Sequence, residues 1–290
     1  MRRRRRSSIS GGERKSADEA DTALANARVR RTRRGTEVLE VDTIASTNAA
    51  AMAAAPKQCA CPFWVSAKSQ TAGRGRSGRG WQSPEGNLAA SMAFTTTAPA
   101  DQLGQVALVA GVAIAEAVRE ILPAEVPETG KAAPDVRLKW PNDLLINGAK
   151  IAGILVEASR VGREAVVVAG FGLNLRAAPA IQDRAVAALS DFGAVPPREQ
   201  VLDILDDAFA DALCLWNNGT GFADVRARWL QAALPMNTSI RVNDGHSPIS
   251  GAFAGLGPSG ELLLSDPKGQ IRRFSFGDVA VVPRHEDEDT

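Results

Sequence analysis

Between two apolar runs that read as strands, Phe63-Trp64-Val65-Ser66-Ala67 and Asn87 to Thr95, the chain inserts Gln70-Thr71-Ala72-Gly73-Arg74-Gly75-Arg76-Ser77-Gly78-Arg79-Gly80-Trp81. No other segment constrains the fold as much. The flanking strands must be buried, and the cationic loop between them must emerge at their ends. Its glycines let the backbone approach a ligand closely, and its three arginines offer forked donors to phosphate or carboxylate. The segment reads as an anion-binding loop at a strand end. It lacks the Gly-x-x-x-x-Gly-Lys-Ser/Thr of a Walker A loop, and no helix of apolar periodicity follows it as a dinucleotide fingerprint requires. An Arg-Gly-rich flexible or RNA-binding stretch is the other reading, and a lone island between two strands of a globular core suits it poorly.

Around this loop the chain alternates strands and helices. Glu37 to Val41 reads as a short strand, and Ser46-Thr47-Asn48 opens an Ala-rich helix stopped by Pro56. Leu103 to Leu122 is the longest helical pattern and is apolar on most sides, which predicts a buried helix. Val136 to Trp140 reads as a strand. Asp143 to Ile146 and Lys150 to Ala158 form a hairpin about the favoured turn Asn147-Gly148, with Glu164 to Ala169 as a further strand. Leu202, Leu205, Phe209, Ala212 and Trp216 share one helical face, and a second helix runs from Phe222 to Ala233. After Leu234-Pro235 come five short strands, 239–242, 249–256, 261–265, 270–276 and 279–282, which predict a small closed barrel. The expected domains are an Arg-rich extension at 1–36, a main domain at 37–234, a barrel at 235–284 and an acidic tail at 285–290.

The net charge of +1 is a sum of unlike parts. Residues 1–36 carry twelve Arg and Lys against four acidic residues, a net +8, while the remaining 254 residues hold 22 bases and 29 acids, a net −7. The first 36 residues have almost no large apolar side chains and are expected to be disordered. The body is mildly acidic, which disfavours non-specific binding of nucleic acid. Only two histidines exist, His246 and His285, so a histidine-based triad or a His-rich metal site is excluded in practice. Cys59, Cys61 and Cys214 cannot make a disulfide framework, and the first two are read as packing residues. No apolar run approaches the roughly 20 residues of a membrane span, and no apolar segment follows the N-terminal arginines as a secretory signal requires. A cytoplasmic protein is expected.

Three further segments carry candidate chemistry. In Arg137-Leu138-Lys139-Trp140-Pro141-Asn142-Asp143-Leu144-Leu145, a lysine at a strand end precedes a proline-fixed turn and can project its ammonium into a cleft. A surface lysine beside an Asx turn fits the same residues. In Lys150-Ile151-Ala152-Gly153-Ile154-Leu155-Val156-Glu157 and in Gly170-Phe171-Gly172-Leu173-Asn174, glycines open strands to close approach, and an ordinary core strand and turn is the alternative.

Taken in order, Ser-Thr-Asn, Gln-Thr-Ala-Gly-Arg-Gly-Arg-Ser-Gly-Arg-Gly-Trp, Lys-Trp-Pro-Asn-Asp-Leu, Lys-Ile-Ala-Gly-Ile-Leu-Val-Glu and Gly-x-Gly-x-Asn resemble the motifs of the biotin–protein ligases over roughly residues 38–283. The resemblance implies an α/β fold: a mixed-sheet catalytic domain of the class II aminoacyl-tRNA synthetase and biotin–lipoate ligase type, followed by a small Src-homology-like β-barrel. It implies an ATP-dependent ligase that makes biotinyl-5′-adenylate and transfers biotin to a lysine of a biotin carboxyl carrier domain of acyl-CoA carboxylases. The winged helix-turn-helix of the family's bifunctional repressors has no counterpart in the Arg-rich extension, so no specific DNA binding is expected. Nor is a membrane partner, and the oligomeric state is left as monomer or weak homodimer.

The resemblance also assigns residues. Arg74, Arg76 and Lys139 are the candidate catalytic cations. Ser46, Thr47, Asn48, Gln70, Gly73, Arg74, Gly75, Arg76, Lys139 and Gly153 are assigned to biotin, and Arg76, Arg79, Trp81, Lys139, Asn142 and Asn174 to ATP and the adenylate. Mg²⁺ is expected with the nucleotide, held mostly by phosphate oxygens and water; its protein ligands stay open between Asp143, Asn142 and none. The loop 73–80 is expected to be disordered without ligand and to close over the reactive adenylate. A lipoate–protein ligase, a biotin-responsive DNA-binding regulator and a biotin binder without turnover are the rival readings.

Overall fold

The computed structural model describes residues 20–56, 62–122, 133–181 and 185–282. Cys59, Cys61, His285, the acidic tail and residues 1–19 lie outside the described residues.

Eight strands make one mixed sheet: β1 (Arg28–Arg31), β2 (Glu37–Ile44), β3 (Phe63–Gln70), β4 (Leu88–Thr96), β5 (Val136–Lys139), β6 (Asp143–Ile146), β7 (Ala149–Val161) and β8 (Glu164–Leu173). Neighbours run β1-β2-β3-β4-β8-β7-β6-β5. Only β2 and β3 are parallel, and helix α1 (Thr47–Ala54) makes the crossover that a parallel pair needs. Ser46 caps α1 by accepting from the amide of Ala49 at 3.4 Å. The hairpin of β6 and β7 turns at Asn147 and Gly148, both with positive φ (49° and 82°), as a two-residue turn of this type demands.

Side chains alternate across the sheet. Phe63, Val65 and Ala67 of β3 join Leu39, Val41, Ala50 and Ala51 in a small apolar cluster under α1, while Trp64 turns to the main core on the other face. Both faces are covered, so β3 reads as a continuous apolar run rather than an alternating one. Helices α2 (Val106–Ile121), α3 (Arg198–Trp216) and α4 (Phe222–Ala232) cover the main-core face. The α3 face of Leu202, Leu205, Phe209, Ala212 and Trp216 is buried as predicted. Phe209 meets Trp64, Phe94 and Phe171 at ring-centroid distances of 6.4, 6.0 and 5.2 Å.

Two expectations need correction. The helical segment Ala100–Ile121 is long and apolar enough to cross a membrane by composition alone, contrary to the reading from apolar runs. It reaches that length because a 3₁₀ turn over Ala100–Gln105 continues into α2, and most of it is buried between the sheet and the other helices. The disorder expected up to residue 36 is also overturned for its last part. Residues 20–25 are helical, and β1 pairs antiparallel with β2. The cause is charge on α3. Arg30 pairs with Glu40 at 2.8 Å and Asp203 at 2.7 Å, Arg33 pairs with Asp207, and Arg34 pairs with Asp211 at 2.8 Å. Fully buried Asp206 accepts from Thr32 at 2.6 Å, Thr36 at 3.0 Å and the Trp64 indole at 2.7 Å.

The last segment forms a second, five-stranded antiparallel sheet: β9 (Ser239–Asn243), β10 (Ile249–Leu256), β11 (Leu262–Ser265), β12 (Ile271–Phe274) and β13 (Asp278–Val281). Its order is β12-β11-β10-β9-β13. Among the described residues no pairing joins the edge strands β12 and β13, so hydrogen bonding does not close the predicted barrel there. The sheet docks on the first domain through polar anchors. Trp140 donates to the carbonyl of Gly260 at 3.0 Å, and Arg226 donates to the carbonyls of Leu256 and Gly257, each at 2.9 Å.

Candidate active site

A cleft of about 1030 Å³ opens at the ends of β3, β5 and β8, bordered by the start of β13. Every candidate residue from Ser46 to Asn174 lines it, although the candidates come from five separate stretches of chain.

One end is a polar pocket built from α1 and the strands it crosses. Gln70 Oε1 accepts from the Thr47 amide at 2.9 Å and its hydroxyl at 3.1 Å, and Gln70 Nε2 donates to Ser83 at 3.2 Å. Asn48 Nδ2 donates to the carbonyl of Leu155 at 3.0 Å and to Glu157 Oε2 at 2.9 Å. Ser91, fully buried, lies 2.8 Å from the Thr47 hydroxyl and 2.6 Å from Asn48 Oδ1. Ser46, Thr47 and Asn48 are each at most 5% exposed, so their orientation is fixed before any ligand arrives.

The middle of the cleft is floored by Trp81. Gly153 and Gly172 are cross-strand partners on β7 and β8, and a Cβ on either would lie 3.0 Å or 2.3 Å from the indole. Two glycines side by side make the flat backbone surface on which the ring lies. The Lys150 ammonium stands 5.5 Å from the ring centroid, within cation–π range.

The other end is cationic. The loop is a folded hairpin: Arg74 bridges Gly80, the Gly75 amide donates to the carbonyl of Arg79 at 2.7 Å, and the Trp81 amide donates to the carbonyl of Gly73 at 2.9 Å. The loop's arginines find carboxylate and carbonyl partners within the chain. They do not all converge on one partner. Arg74 pairs with Glu157 at 3.3 Å, on the side of the polar pocket. Arg76 donates to the carbonyl of Gly277 at 3.2 Å, and Arg79 pairs with Asp278 at 2.6 Å. Burial pulls the Arg76 pKa down and Arg79 adds to this, against the attraction of Asp278. An arginine remains charged all the same.

Lys139 donates to the carbonyl of Val279 and pairs with Asp143, both at 2.9 Å; Lys150 holds the other oxygen of Asp143. Burial alone would raise the Asp143 pKa, but the two ammonium groups outweigh it and hold the carboxyl below its usual range. Asn142 donates to the carbonyl of Ile154 at 2.7 Å, which ties the turn to β7. Asn174 donates to the carbonyl of Ala187 at 3.1 Å, while its Oδ1 is buried with no donor facing it. Among the described residues no three His, Cys, Asp or Glu side chains gather as a metal cage.

Five contributors escaped the sequence reading as site residues: Ser83, Ser91, Lys150, Glu157 and Asp278. Lys150 and Glu157 bound a motif that was noticed as a strand. Ser83, Ser91 and Asp278 have no local signal and enter through the topology alone.

Comparison with known proteins agrees with this geometry. Residues 44–174 match the Biotin/lipoate A/B protein ligase family, and residues 237–282 match the Biotin protein ligase C terminal domain. The biotin–[acetyl-CoA-carboxylase] ligase of Paracoccus denitrificans is 38% identical over 236 residues, 78% of this chain and 92% of that protein. The biotin protein ligase of Aquifex aeolicus in complex with biotin and ATP superposes with a TM-score of 0.67 at 24% identity, covering 84% of this chain and 99% of that one. That of Leishmania major in complex with biotinyl-5-AMP gives 0.59 at 26% identity, covering 82% and 98%. The chain belongs to the biotin/lipoate A/B protein ligase family, on its biotin–protein ligase branch.

Proposed function

We propose that the cleft joins biotin to ATP and then to a lysine of a biotin carboxyl carrier domain. The observation that carries this reading is the set of surfaces along one cavity: a preset polar pocket with Arg74 beside it, the Trp81 floor, then Arg76, Arg79 and Lys139. Biotin has a ureido head with two N–H donors and one carbonyl, apolar rings and chain, and a terminal carboxylate. It fits that set of surfaces.

In the first step a biotin carboxylate oxygen bonds to the α-phosphorus of ATP, the bond to the β-phosphate bridge breaks, and pyrophosphate leaves. Two anions must meet, so the step needs positive charge and positioning rather than a protein nucleophile. Arg74, Arg76, Arg79 and Lys139 supply that charge. Ser46, Thr47, Asn48 and Gln70 orient the ureido head, with the Gly73–Gly75 backbone and Gly153 completing the biotin walls. Trp81 floors the junction of biotin and adenylate, Asn142 and Asn174 serve the nucleotide, and the partnerless Asn174 Oδ1 accepts from an amino group of the base. In the second step the lysine amine attacks the acyl carbon, AMP leaves, and the amine loses a proton.

Mg²⁺ neutralises phosphate charge when bound with ATP. Asp143 and Asp278 are carboxylates lining this end of the cleft, and both are engaged by cations of the chain, so phosphate oxygens and water would hold the ion for the most part. The reading carries with it a cytoplasmic location, a monomer or weak homodimer, and no specific DNA or membrane partner.

The test is biotin-dependent ATP–pyrophosphate exchange by the purified protein, followed by label transfer to an apo carrier domain. Exchange with transfer is expected. Exchange with lipoate in place of biotin would overturn the assignment of substrate.

A further inference from the structure

Three of the four cations named above are held by three consecutive residues of the second domain. The Gly277 carbonyl accepts from Arg76 at 3.2 Å, Asp278 pairs with Arg79 at 2.6 Å and stands 4.0 Å from Arg76, and the Val279 carbonyl accepts from Lys139 at 2.9 Å. The loop's own hydrogen bonds fix its hairpin shape, but none of residues 76–80 is buried, so nothing apolar anchors its tip. Arg76 and Arg79 repel one another at that tip. Asp278 is the one carboxylate in the described structure that pairs with both.

We propose that Asp278 is a positioning residue, through which the second domain holds Arg76 and Arg79 over the cleft. The place of these cations when nucleotide enters is then set by the start of β13, about two hundred residues away in sequence. The pair is suited to this because it is partly open to solvent and therefore weak, so a polyphosphate can take the free donors of both guanidinium groups without breaking the anchor outright. The proposal deepens the ligase reading and rests on it for the nature of the anion.

The test compares wild type with Asp278→Asn and Asp278→Glu. The first readout needs no activity: limited trypsin digestion, with mass spectrometry of cleavage after Arg76 and Arg79. Asp278→Asn is expected to be cut there on the order of tenfold faster, because the tip loses its charged anchor, while Asp278→Glu returns towards the wild-type rate. The second readout is pyrophosphate exchange. Asp278→Asn is expected to raise the KM for ATP on the order of three- to tenfold with the KM for biotin unchanged, as loss of one charge-assisted contact predicts. Wild-type cleavage at the tip, an unchanged or lower ATP KM, or equal defects in Asn and Glu variants that melt like wild type would overturn the proposal. Failure of wild type itself to exchange pyrophosphate would instead overturn the ligase reading, and the digestion result would still stand.

Discussion

A Cβ on residue 170 would lie 1.9 Å from Oδ1 of Asn48, so the bare backbone of Gly170 is the space that Asn48 occupies. Asn48 cannot move aside cheaply, because it is also tied to Leu155, Glu157 and Ser91. Gly170→Ala is expected to weaken biotin binding on the order of ten- to a hundredfold, as overpacking of a preset polar pocket predicts, with little change in the KM for ATP. Calorimetric titration with biotin and the two KM values check it.

Arg76 is the loop arginine most enclosed by its neighbours, and it lines the cleft while touching the second domain. Arg76→Gly is expected to raise the released share of the biotinyl-5′-adenylate formed on the order of tenfold, because the site no longer keeps water and product apart. The measurement is adenylate in the filtrate of a reaction without acceptor, together with labelling of bystander lysines. Release at the wild-type rate would remove the loop from any role in containment.

Asp143 gives the protein a pH signature. Its native pKa lies below the unfolded value of about 3.9, so its contribution to stability is complete above that pH. The contribution is lost as pH falls through the native value. Urea denaturation between pH 7 and 3 is expected to show a steeper acid limb for wild type than for Asp143→Asn, which keeps the contributions of Glu199, Glu261 and Asp266. The variant starts from lower stability at pH 7, since Lys139 and Lys150 then face each other uncompensated.

Asp206 holds the first strand to the core through Trp64, Thr32 and Thr36. Asp206→Ala leaves the buried indole N–H and the Thr32 hydroxyl without this acceptor, which is expected to cost about 3 kcal/mol. Denaturant titration measures the loss, and β1 amides should be the first to lose protection from hydrogen exchange.

Much of the architecture was legible because its causes are local. The Ser46 cap, the Asn147-Gly148 turn, the α3 face and the five short strands each depend on residues a few positions apart. The chemistry of the cleft was legible as motifs, and the paired glycines at 153 and 172 declared a close approach without saying what approaches. Trp81 answers that only once β7 and β8 are set in register. Asp278 was hidden for a similar reason: a lone acid in a short strand looks like surface until the second domain is docked. The Arg-rich stretch misled most. Its charge reads as solvation unless the acids at 203, 206, 207 and 211 are known to share one side of a helix.

That stretch has a consequence for how the molecule behaves in company. β1 is the outermost strand of the large sheet, and an outermost strand offers unpaired amides and carbonyls to any other chain. Arg28 and Arg31 are exposed on it, and Arg30 is tied down to α3, so the sheet ends in repulsive charge instead of an adhesive border. A chain trimmed back to residue 37 would end its sheet at β2, whose Val38, Leu39 and Val41 are buried in the intact protein. The arginines of β1 thus work in part as a guard against aggregation.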